Sequence, residues 1–509
     1  MRPGPAPRKN EQTAAREQNV VEAAHCLALD FGASSIRLID AWLADGRIAL
    51  NEMARFANGP KQAGGRTVWD YQAIYGQIES TLRVANDSGV HYASIGADSW
   101  GVDYVLLGGN GLPLGPPVSY RDPRTDGQIE RFTSKHIPAR RLFELTGLQC
   151  LPFNTLYQLY AQSQSEPELL ARARRLLFTA DYVHYWLSGV AVVERTLAST
   201  SQMLTLDGQW SEEILAPLAL NASALCDPVP AGTILGAIRP ALGMTGGLSG
   251  ASVIAPCTHD TQCAILSVPA QNDGDWAYLS SGTWSILGTE SSVPFSGPDA
   301  EAAGLGNESG YDGTYCVQST VSGLWLVQEI QRLLPGMSSA ELAEQAEDAT
   351  AFRSLVNPAD ERFFHPADMI AEIKAACRDA GEPEPETPGE LARCAYDSLA
   401  LLYRERLGVL SAVTGRKFKR LHVVGGGSQA LLLNRLCACA TGMPVWPGPA
   451  EATALGNAVA QMIALGMLSD AAEARAVIRA SLPPVLVEPK TLPGLENAVA
   501  RFERLIKEQ

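Results

Sequence analysis

The length, composition and charge of the chain limit both its fold and its partners. Its 509 residues exceed the roughly 250 residues at which a single hydrophobic core stops growing, so two large domains are expected. Apolar residues make up 46% of the chain and charged residues 19%, which excludes a disordered or low-complexity protein. The net charge of -15 repels nucleic acid and anionic membranes, so small molecules are the expected partners.

The cysteines, the histidines and the N-terminal segment show no pattern typical of secretion or of a zinc site. The ten cysteines include no CxxC pair, and the seven histidines lack zinc-site spacing. Residues 1–25 are polar and lack the apolar run of a signal peptide, so a disordered leader is expected. No apolar run approaches the roughly 20 residues that span a bilayer. We therefore expect a cytoplasmic protein, either a monomer or a homodimer.

The first half of the chain mixes predicted strands and helices. CLALDFGASSIRLIDAWLADGRIAL (residues 26–50) reads as strand, small-residue turn, strand, Asp-Gly turn and strand. Helical patterns follow near residues 70–86 and 137–146, with apolar strand-like runs at 92–97 and 102–107. This order predicts an α/β domain.

The second half opens with a similar hairpin. In WAYLSSGTWSILG (276–288), a shift of 250 positions sets Gly32 against Gly282 and Ser35 against Ser285. Two halves that open in the same way predict two similar domains facing a central cleft. We place the boundary at the polar cluster PAQNDGD, which gives domains of residues 26–268 and 269–509.

The remaining predicted elements of the second half include a glycine loop between a strand and a helix. GLWLVQEIQRLL (323–334) has helical spacing, and a loop at 381–390 precedes a helix that runs to about residue 413. Residues 420–442 read as a buried strand, three glycines and a helix, and 446–466 as a loop and a small-residue helix expected to pack against it. The glycine loop is neither GxGxxG nor GxxxxGK[ST]. Gly426 therefore belongs either to a nucleotide site or to a tight turn.

Three acidic segments are candidates for chemistry. Asp30 ends the first strand before Gly32 and could hold a hydrated magnesium ion, or serve only in a turn. Asp98 and Asp103 flank Trp100, a pattern that suits a sugar as well as a solvated strand edge. Asp260, in THDT after the apolar run VIAP, is placed to take a proton from an attacking hydroxyl.

Taken in order, these segments resemble the FGGY carbohydrate kinases, which have the actin/hexokinase-like (ribonuclease H-like) ATPase fold. The resemblance covers about residues 26–470. ALDFGASSIR and YLSSGTWSILG are similar to the two phosphate loops, and ADSWGVDYVLL with YRDPRT to the sugar side. THDT is similar to the catalytic segment, and VVGGGSQALLLNRLCACATG with GPAEATALGN to the adenosine end.

The resemblance implies transfer of the γ-phosphoryl group of ATP to the primary hydroxyl of a small ketose, foremost L-rhamnulose, with Mg²⁺. Asp260 is then the proton acceptor, and Asp30 holds magnesium through water. The implied ATP contacts are Ala33, Ser34, Ser35, Arg37, Thr283, Gln328 and Gly426. The implied sugar contacts are Gly101, His259, Thr261 and Thr320, and the local pattern adds Asp98 and Asp103.

Two positions depart from the family pattern. Ile36 stands where the first phosphate loop usually carries glycine, and Thr320 stands where a sugar-contacting asparagine is usual. Threonine keeps a hydroxyl but lacks the donors and the reach of the amide. A relaxed preference that extends to L-fuculose or L-xylulose is therefore expected.

Two rival functions remain open from the sequence. Asp98, Asp103 and Asp122 could be the carboxylates of a glycosidase, but this leaves both hairpins and the three glycines without a role. A non-catalytic sugar sensor on the same fold is the other, and the presence of both Asp30 and Asp260 argues against it.

Overall fold

The computed structural model describes residues 24–271, 274–364, 366–483 and 485–507. The predicted leader therefore falls almost wholly outside the described residues, as do two residues of the predicted domain boundary. The strands are β1 (His25–Phe31), β2 (Ser35–Ala44), β3 (Arg47–Ala57), β4 (Lys61–Ala63), β5 (Arg66–Val68), β6 (Tyr92–Ser99), β7 (Tyr104–Leu107), β8 (Arg175–Phe178), β9 (Val193–Glu194), β10 (Pro228–Val229), β11 (Thr233–Ala237), β12 (Ser252–Ala255), β13 (Trp276–Ser281), β14 (Trp284–Ser291), β15 (Gly306–Ser309), β16 (Tyr315–Ser322), β17 (Arg420–Val424) and β18 (Val445–Pro447).

Helices occupy the connections between these strands. They are α1 (Tyr71–Asn86), α2 (Gln128–Lys135), α3 (Ala139–Thr146), α4 (Thr155–Ser165), α5 (Pro167–Arg172), α6 (Thr179–Ser188), α7 (Arg195–Ser199), α8 (Glu212–Leu215), α9 (Asp260–Leu266), α10 (Pro298–Ala302), α11 (Trp325–Arg332), α12 (Ser339–Asp348), α13 (Met369–Asp379), α14 (Pro388–Thr414), α15 (Leu431–Thr441), α16 (Ala452–Ala464), α17 (Ala471–Ser481) and α18 (Leu495–Lys507). None of the described helices is both long and apolar enough to cross a membrane.

Each half of the chain is built on a six-stranded sheet, and five strands of each sheet share a topology. The first has the order β11-β12-β6-β1-β2-β3, and the second has the order β15-β16-β14-β13-β17-β18. In the first sheet β3, β2 and β1 are antiparallel, and β1, β6 and β12 run parallel. The second sheet repeats this arrangement with β16, β14 and β13 antiparallel and with β13, β17 and β18 parallel. The internal repeat and the mixed α/β fold predicted from the two hairpins are confirmed.

Local turn chemistry accounts for the opening hairpins. At Gly32, between β1 and β2, a side-chain carbon would lie 2.6 Å from the Ser35 carbonyl oxygen, so this turn requires glycine. Asp45 and Gly46, between β2 and β3, have φ values of +51° and +70°, the conformation that a two-residue hairpin loop requires. The predicted meander is confirmed.

Four apolar clusters hold the described elements together, and the smallest packs α9 against β13. One lies within each half, between its sheet and its helices. The third joins the halves, because apolar residues of α16 pack with those of β1, β2 and α9. We expected α16 to pack against α15; instead its main neighbours are α9, β1 and β6 of the first half. Its alanines and glycine suit this position, where a helix lies close against both a sheet and another helix.

Candidate active site

The carboxyl ends of three parallel strands bring the predicted acidic residues to one edge of the first sheet. Asp30 in β1 is the register neighbour of Asp98 in β6. Ser99, the next residue of β6, forms a bridge with His259, and Asp260 is the first residue of α9. The ends of parallel strands meet at the same sheet edge, which is where open α/β sheets bind ligands.

Arg37 lies between two carboxylates from different halves of the chain. Its guanidinium is 2.5 Å from Asp30 Oδ2 and 2.7 Å from Glu451 Oε2. Arg55 reaches the other oxygen of Glu451 at 3.2 Å. Burial raises the pKa of Asp30, and the Arg37 cation opposes this rise. The predicted phosphate-contacting arginine is therefore fixed in place by acidic partners on both sides.

Asp98 is fully buried and faces α16. Its Oδ2 accepts a 2.7 Å hydrogen bond from Asn457 Nδ2, and Asn457 Oδ1 accepts one from Gln461 Nε2 at the same distance. Gln461 also accepts a hydrogen bond from the Ser94 hydroxyl at 2.7 Å. Burial raises the pKa of Asp98 well above its usual range, and the nearby Asp30 raises it further. Asp98 thus connects the acidic residues of the site to α16 through a hydrogen bond.

The Asp260 carboxylate has one oxygen occupied and one free. Thr261 donates to Oδ1 from its backbone N–H at 2.6 Å and from its hydroxyl at 3.3 Å. His259 Nε2 lies 3.3 Å from the same oxygen. Among the described residues no hydrogen bond reaches Oδ2, and 31% of the side chain is exposed. Burial raises the pKa of Asp260, while His259 acts in the opposite direction.

The ring of His259 lies between two carboxylates. Its Nδ1 is 3.1 Å from Oε2 of Glu308, a residue of β15 in the second sheet. The same Glu308 oxygen accepts a 2.8 Å hydrogen bond from Gln262 in α9. Burial lowers the pKa of His259, but Glu308 and Asp260 outweigh it, so the net shift is upward. For Glu308, burial acts to raise the pKa, but His259 outweighs it and the net shift is downward.

A buried glutamate holds the segment that carries Asp260. Glu194 accepts hydrogen bonds from the backbone N–H and hydroxyl of Thr258, at 2.9 and 2.8 Å. It also accepts from the backbone N–H of Thr196 at 2.9 Å, at the start of α7. The Thr196 hydroxyl is a fourth donor to the same carboxylate. Through these four hydrogen bonds, Glu194 fixes the segment that follows β12 and precedes Asp260.

The predicted sugar-facing aromatic rests on a buried acid. Asp103 Oδ2 accepts hydrogen bonds from Trp69 Nε1 at 2.6 Å and from Trp100 Nε1 at 2.9 Å. Burial raises the pKa of Asp103 to about 6, against the lowering by these two N–H groups. Asp103 therefore orients two indole rings.

The turn after Trp100 is strained. Val102 has a φ of +69°, a conformation that β-branched residues rarely adopt. Thr200 holds it by accepting from the Val102 N–H at 3.1 Å, and Thr155 donates to the Val102 carbonyl at 2.7 Å. At Gly101 a side-chain carbon would lie 3.1 Å from the Thr200 hydroxyl. Glycine at position 101 therefore allows the turn to pack closely against Thr200.

Thr320 lies on the face of β16 that meets the first half. Side chains two apart share a strand face, and on this face Cys316 Sγ contacts Gln262 Oε1 at 2.7 Å. Gln318, next on the face, accepts a hydrogen bond from Tyr278. Thr320 follows and is exposed, so its hydroxyl is open to a ligand between the halves.

The first predicted phosphate loop is the open turn between β1 and β2. Ala33 and Ser35 are half-buried and Ser34 is exposed. Asn58 supports the turn from behind, with its side chain donating to the Gly32 carbonyl and its backbone N–H donating to the Ser34 carbonyl. The outer side of the turn is left for a ligand.

The second predicted phosphate loop is hydrogen-bonded to the start of α11. The backbone N–H groups of Leu324 and Trp325 donate to the carbonyls of Gly282 and Thr283 at 2.9 and 3.1 Å. The Thr283 hydroxyl donates to Gln328 Oε1 at 3.1 Å. Two of the predicted ATP contacts are therefore hydrogen-bonded to each other.

The three glycines after β17 have different surroundings. At Gly427 a side-chain carbon would lie 2.0 Å from the Ser281 hydroxyl, so the loop packs tightly on the end of β13. Gly425 has a φ of +80°, which favours glycine. At Gly426 a side-chain carbon would meet nothing within 4 Å. Packing thus explains Gly427 and backbone conformation explains Gly425, whereas Gly426 opens onto free space.

The described side chains available to ligate a metal at this site are few. Among the described residues no group of three or more histidine, cysteine or acidic side chains is arranged to hold a metal. Mg²⁺ normally keeps several waters and takes its other ligands from one or two carboxylates and from substrate phosphates. Asp30, buried at the strand end beside the first loop, meets that requirement.

The sequence missed three acidic residues of this site. Glu308, Glu194 and Glu451 each contact a predicted site residue or its segment. Glu308 and Glu194 lie outside every motif and approach from distant parts of the chain, so no local pattern could have revealed them. Glu451 alone lay within a segment already singled out, GPAEATALGN.

Family models match both halves of the chain. The model for the N-terminal domain of the FGGY family of carbohydrate kinases matches residues 25–267, and the model for the C-terminal domain matches residues 277–465. This chain belongs to the FGGY family of carbohydrate kinases. It is a sugar kinase that uses ATP, and its substrates are a small sugar and ATP.

Curated relatives support the family membership over most of the chain. A rhamnulokinase of Yersinia pestis (strain Pestoides F) is 42% identical over 460 residues, which cover 90% of this chain and 93% of the relative. A rhamnulokinase of Enterobacter sp. (strain 638) is 39% identical over 489 residues, 95% of this chain and 99% of the relative.

Solved structures of kinases share the fold. The xylulose kinase from Rhodospirillum rubrum is 19% identical, with a TM-score of 0.76 over 95% of this chain and 98% of that one. The Plasmodium falciparum glycerol kinase with ADP is 15% identical, with a TM-score of 0.77 over 96% of this chain and 98% of that one. The expected fold, two actin/hexokinase-like domains facing a cleft, is that of these FGGY kinases.

Proposed function

We propose that this kinase transfers the γ-phosphoryl group of ATP to the primary hydroxyl of L-rhamnulose, giving L-rhamnulose 1-phosphate. The relatives at 42% and 39% identity are rhamnulokinases. A second candidate is another ketose, L-fuculose or L-xylulose, because Thr320 replaces the usual asparagine in an exposed position on the cleft-facing side of β16.

The observation that carries the mechanism is the asymmetric environment of Asp260. Thr261 donates twice to Oδ1 and His259 Nε2 lies 3.3 Å from it, whereas none of the described residues donates to Oδ2. A general base needs an oxygen that can reach the substrate hydroxyl. In our proposal Oδ2 takes the hydroxyl proton while the sugar oxygen bonds to the γ-phosphorus and the bond to ADP breaks. Thr261 and His259 hold the other oxygen and so orient the carboxylate.

The nucleotide and the metal occupy the two loops and the adjoining strand ends in this proposal. Asp30 holds hydrated Mg²⁺, which supplies positive charge that neutralises the phosphates. Ala33, Ser34, Ser35, Arg37, Thr283 and Gln328 lie along the phosphates. Gly426 contacts the adenosine, and its open face supports that role.

The sugar occupies the space between the two sheets in this proposal. Gly101, His259, Thr261 and Thr320 lie along it, with Asp98 and Asp103 supporting it from beneath. We also propose that the domains span residues 26–268 and 269–509 and that the enzyme acts in the cytoplasm.

An ADP-release assay with a panel of ketoses tests the substrate. We expect L-rhamnulose to give the highest kcat/KM, with measurable activity on L-fuculose or L-xylulose, and the product to carry phosphate on the primary hydroxyl by phosphorus NMR. ADP release from another ketose alone would overturn L-rhamnulose as the substrate.

Replacing the proposed base tests the mechanism. We expect Asp260→Asn to lower kcat by about 10²- to 10⁴-fold, the range typical for loss of a general base, and to leave ATP binding nearly intact. Asp45→Asn makes the same chemical change at an exposed hairpin position and should leave kcat unchanged. Full turnover by Asp260→Asn would remove Asp260 from this role.

A further inference from the structure

We infer that Glu308 is a positioning residue for phosphoryl transfer: it reaches across from the second half of the chain and, through His259, fixes the orientation of the Asp260 carboxylate. This inference rests on the proposed role of Asp260 as the base. Glu308 belongs to no sequence motif of the site. Its position is known only because β15 approaches α9 in the folded chain.

The strand that carries Glu308 is fastened to the first half on both sides. The backbone N–H of Asn307 donates to the Gly147 carbonyl at 2.9 Å, and the backbone N–H of Ser309 donates to the Ser199 hydroxyl at 3.0 Å. β15 is also paired with β16 of the second sheet. Glu308 is therefore held at a fixed place over the start of α9, and does not depend on a mobile loop.

The two carboxylates beside the His259 ring favour its positively charged state. A carboxylate offers only lone pairs, so a ring nitrogen that faces one must carry a hydrogen. Nδ1 lies 3.1 Å from Oε2 of Glu308 and Nε2 lies 3.3 Å from Oδ1 of Asp260, so two carboxylates flank the ring at ion-pair distance and favour N–H on both nitrogens. The upward pKa shift of His259 and the downward shift of Glu308 agree with this state. Glu194 is a further acid whose charge acts on the ring.

The consequence for Asp260 is geometric. An imidazolium fixed at Nδ1 by Glu308 keeps its Nε2–H directed at Oδ1 of Asp260. Together with the two donors of Thr261, it holds that oxygen in place, and none of the described residues donates to Oδ2. Without Glu308 the ring loses its second fixed contact, and the carboxylate becomes free to rotate away from the sugar hydroxyl.

A double-mutant cycle tests this inference. Because the His259 ring loses the negative charge beside Nδ1, we expect Glu308→Gln to lower kcat by about tenfold to a hundredfold and to change the KM for ATP by less than about twofold. In the His259→Asn background the same change should have no further effect, since the intervening ring is already gone. Equal losses in both backgrounds, or an unchanged kcat in Glu308→Gln, would overturn the inference.

A matched control separates the side chain from its strand. Ser199→Ala removes a cross-half hydrogen bond to β15 and leaves His259 untouched, so we expect its kcat to be within about twofold of the wild type. If Ser199→Ala costs as much as Glu308→Gln, the placement of the strand explains the effect and Glu308 has no specific role.

A measurement on the wild-type protein needs neither a stable variant nor a known substrate. With ¹⁵N-labelled histidine, and with His259→Asn to assign its signals, both ring nitrogens of His259 should be protonated at neutral pH. A ring with one bare nitrogen contradicts the inference. Because this result is independent of turnover, it separates failure of the inference from failure of the proposed function, which inactivity of the wild type on every ketose would show.

Discussion

At the scale of single residues, the site depends on buried acids whose partners give each a different task. Asp98 accepts a hydrogen bond from Asn457, Asp103 accepts from two indoles, and Glu194 accepts from threonines. For Asp260, hydrogen-bond donors among the described residues reach only one of the two oxygens. A buried carboxylate without donors is costly, so most of these groups serve structure. Asp260 differs because none of the described residues donates to its Oδ2, and in our proposal that oxygen takes the proton.

Replacing Thr320 tests how the sugar is selected. Thr320→Asn restores the amide usual in the family, and we expect it to sharpen the preference for L-rhamnulose over L-fuculose and L-xylulose by about tenfold. A buried sugar hydroxyl without a partner costs about 1 to 3 kcal/mol, which is sufficient for such a change. The KM for ATP should not move. Identical kcat/KM ratios in both proteins would mean that selectivity arises near Trp100 instead.

The acidic side of the pH–rate profile reports the pKa of Asp260. Burial raises that pKa, and His259 opposes the rise. The acids Glu308, Asp30 and Asp98 also lie close enough to Asp260 for their charges to interact with it. The base must be ionised, so kcat/KM falls as pH drops through this pKa. His259→Asn removes a positive charge beside Asp260, so its acidic limb should move to higher pH. A limb that stays in place or moves to lower pH would contradict the ion pair.

At the scale of elements, the loop after β17 shows how one run of identical residues serves two purposes. Gly427 is required because its neighbour Ser281 leaves no space, and Gly425 because of its positive φ. Neither of these constraints applies to Gly426. A loop that packs closely at Gly425 and Gly427 and is open at Gly426 is suited to binding a flat ligand.

Valine at the open position tests whether a nucleotide lies there. We expect Gly426→Val to fold normally and to raise the KM for ATP by about tenfold or more, equal to about 1.4 kcal/mol of binding, with little change in the KM for the sugar. Gly427→Ala should instead lower the free energy of unfolding, because its new methyl group meets the Ser281 hydroxyl. Equal weakening of both substrates in Gly426→Val would show that the loop is only structural.

At the scale of the whole molecule, α16 links the two halves. It follows the second sheet in sequence but packs on the first, and its Asn457 and Gln461 enter the hydrogen bonds beneath the acidic residues. At Gly456 a side-chain carbon would lie 1.8 Å from the Cys263 carbonyl oxygen of α9. The contact between the halves therefore depends on the absence of a side chain.

Adding a methyl group at this contact tests its importance. We expect Gly456→Ala to lower the free energy of unfolding by about 1 to 3 kcal/mol, the usual cost of overpacking. Gly408→Ala, at an exposed position of α14 where nothing lies within 4 Å, should raise stability by up to about 1 kcal/mol through helix propensity. Chemical denaturation followed by circular dichroism compares the two. A Gly456→Ala protein as stable as the wild type would mean that α9 and α16 separate without cost.

Much of the fold follows from the sequence because its signals are local. The hairpins at Gly32 and Asp45, the helix that follows Thr387 and the strand before Gly425 are set by turn residues, caps and hydrophobic period, all within a few positions of one another. The repeat of the first hairpin at Gly282 was sufficient to predict two similar sheets. Asp30 and Asp260 could also be found, because acids at strand ends stand out locally.

The tertiary structure alone decided how distant residues meet. The ring of His259 between Asp260 and Glu308, the placement of Arg37 between Asp30 and Glu451, and the packing of α16 on the first half join positions tens to hundreds of residues apart. Such contacts leave no periodic or spacing signal, because the chain between them can take any length that the fold permits. The sequence therefore determined which chemical groups exist at each strand end, and packing between the two halves determined which of them act together.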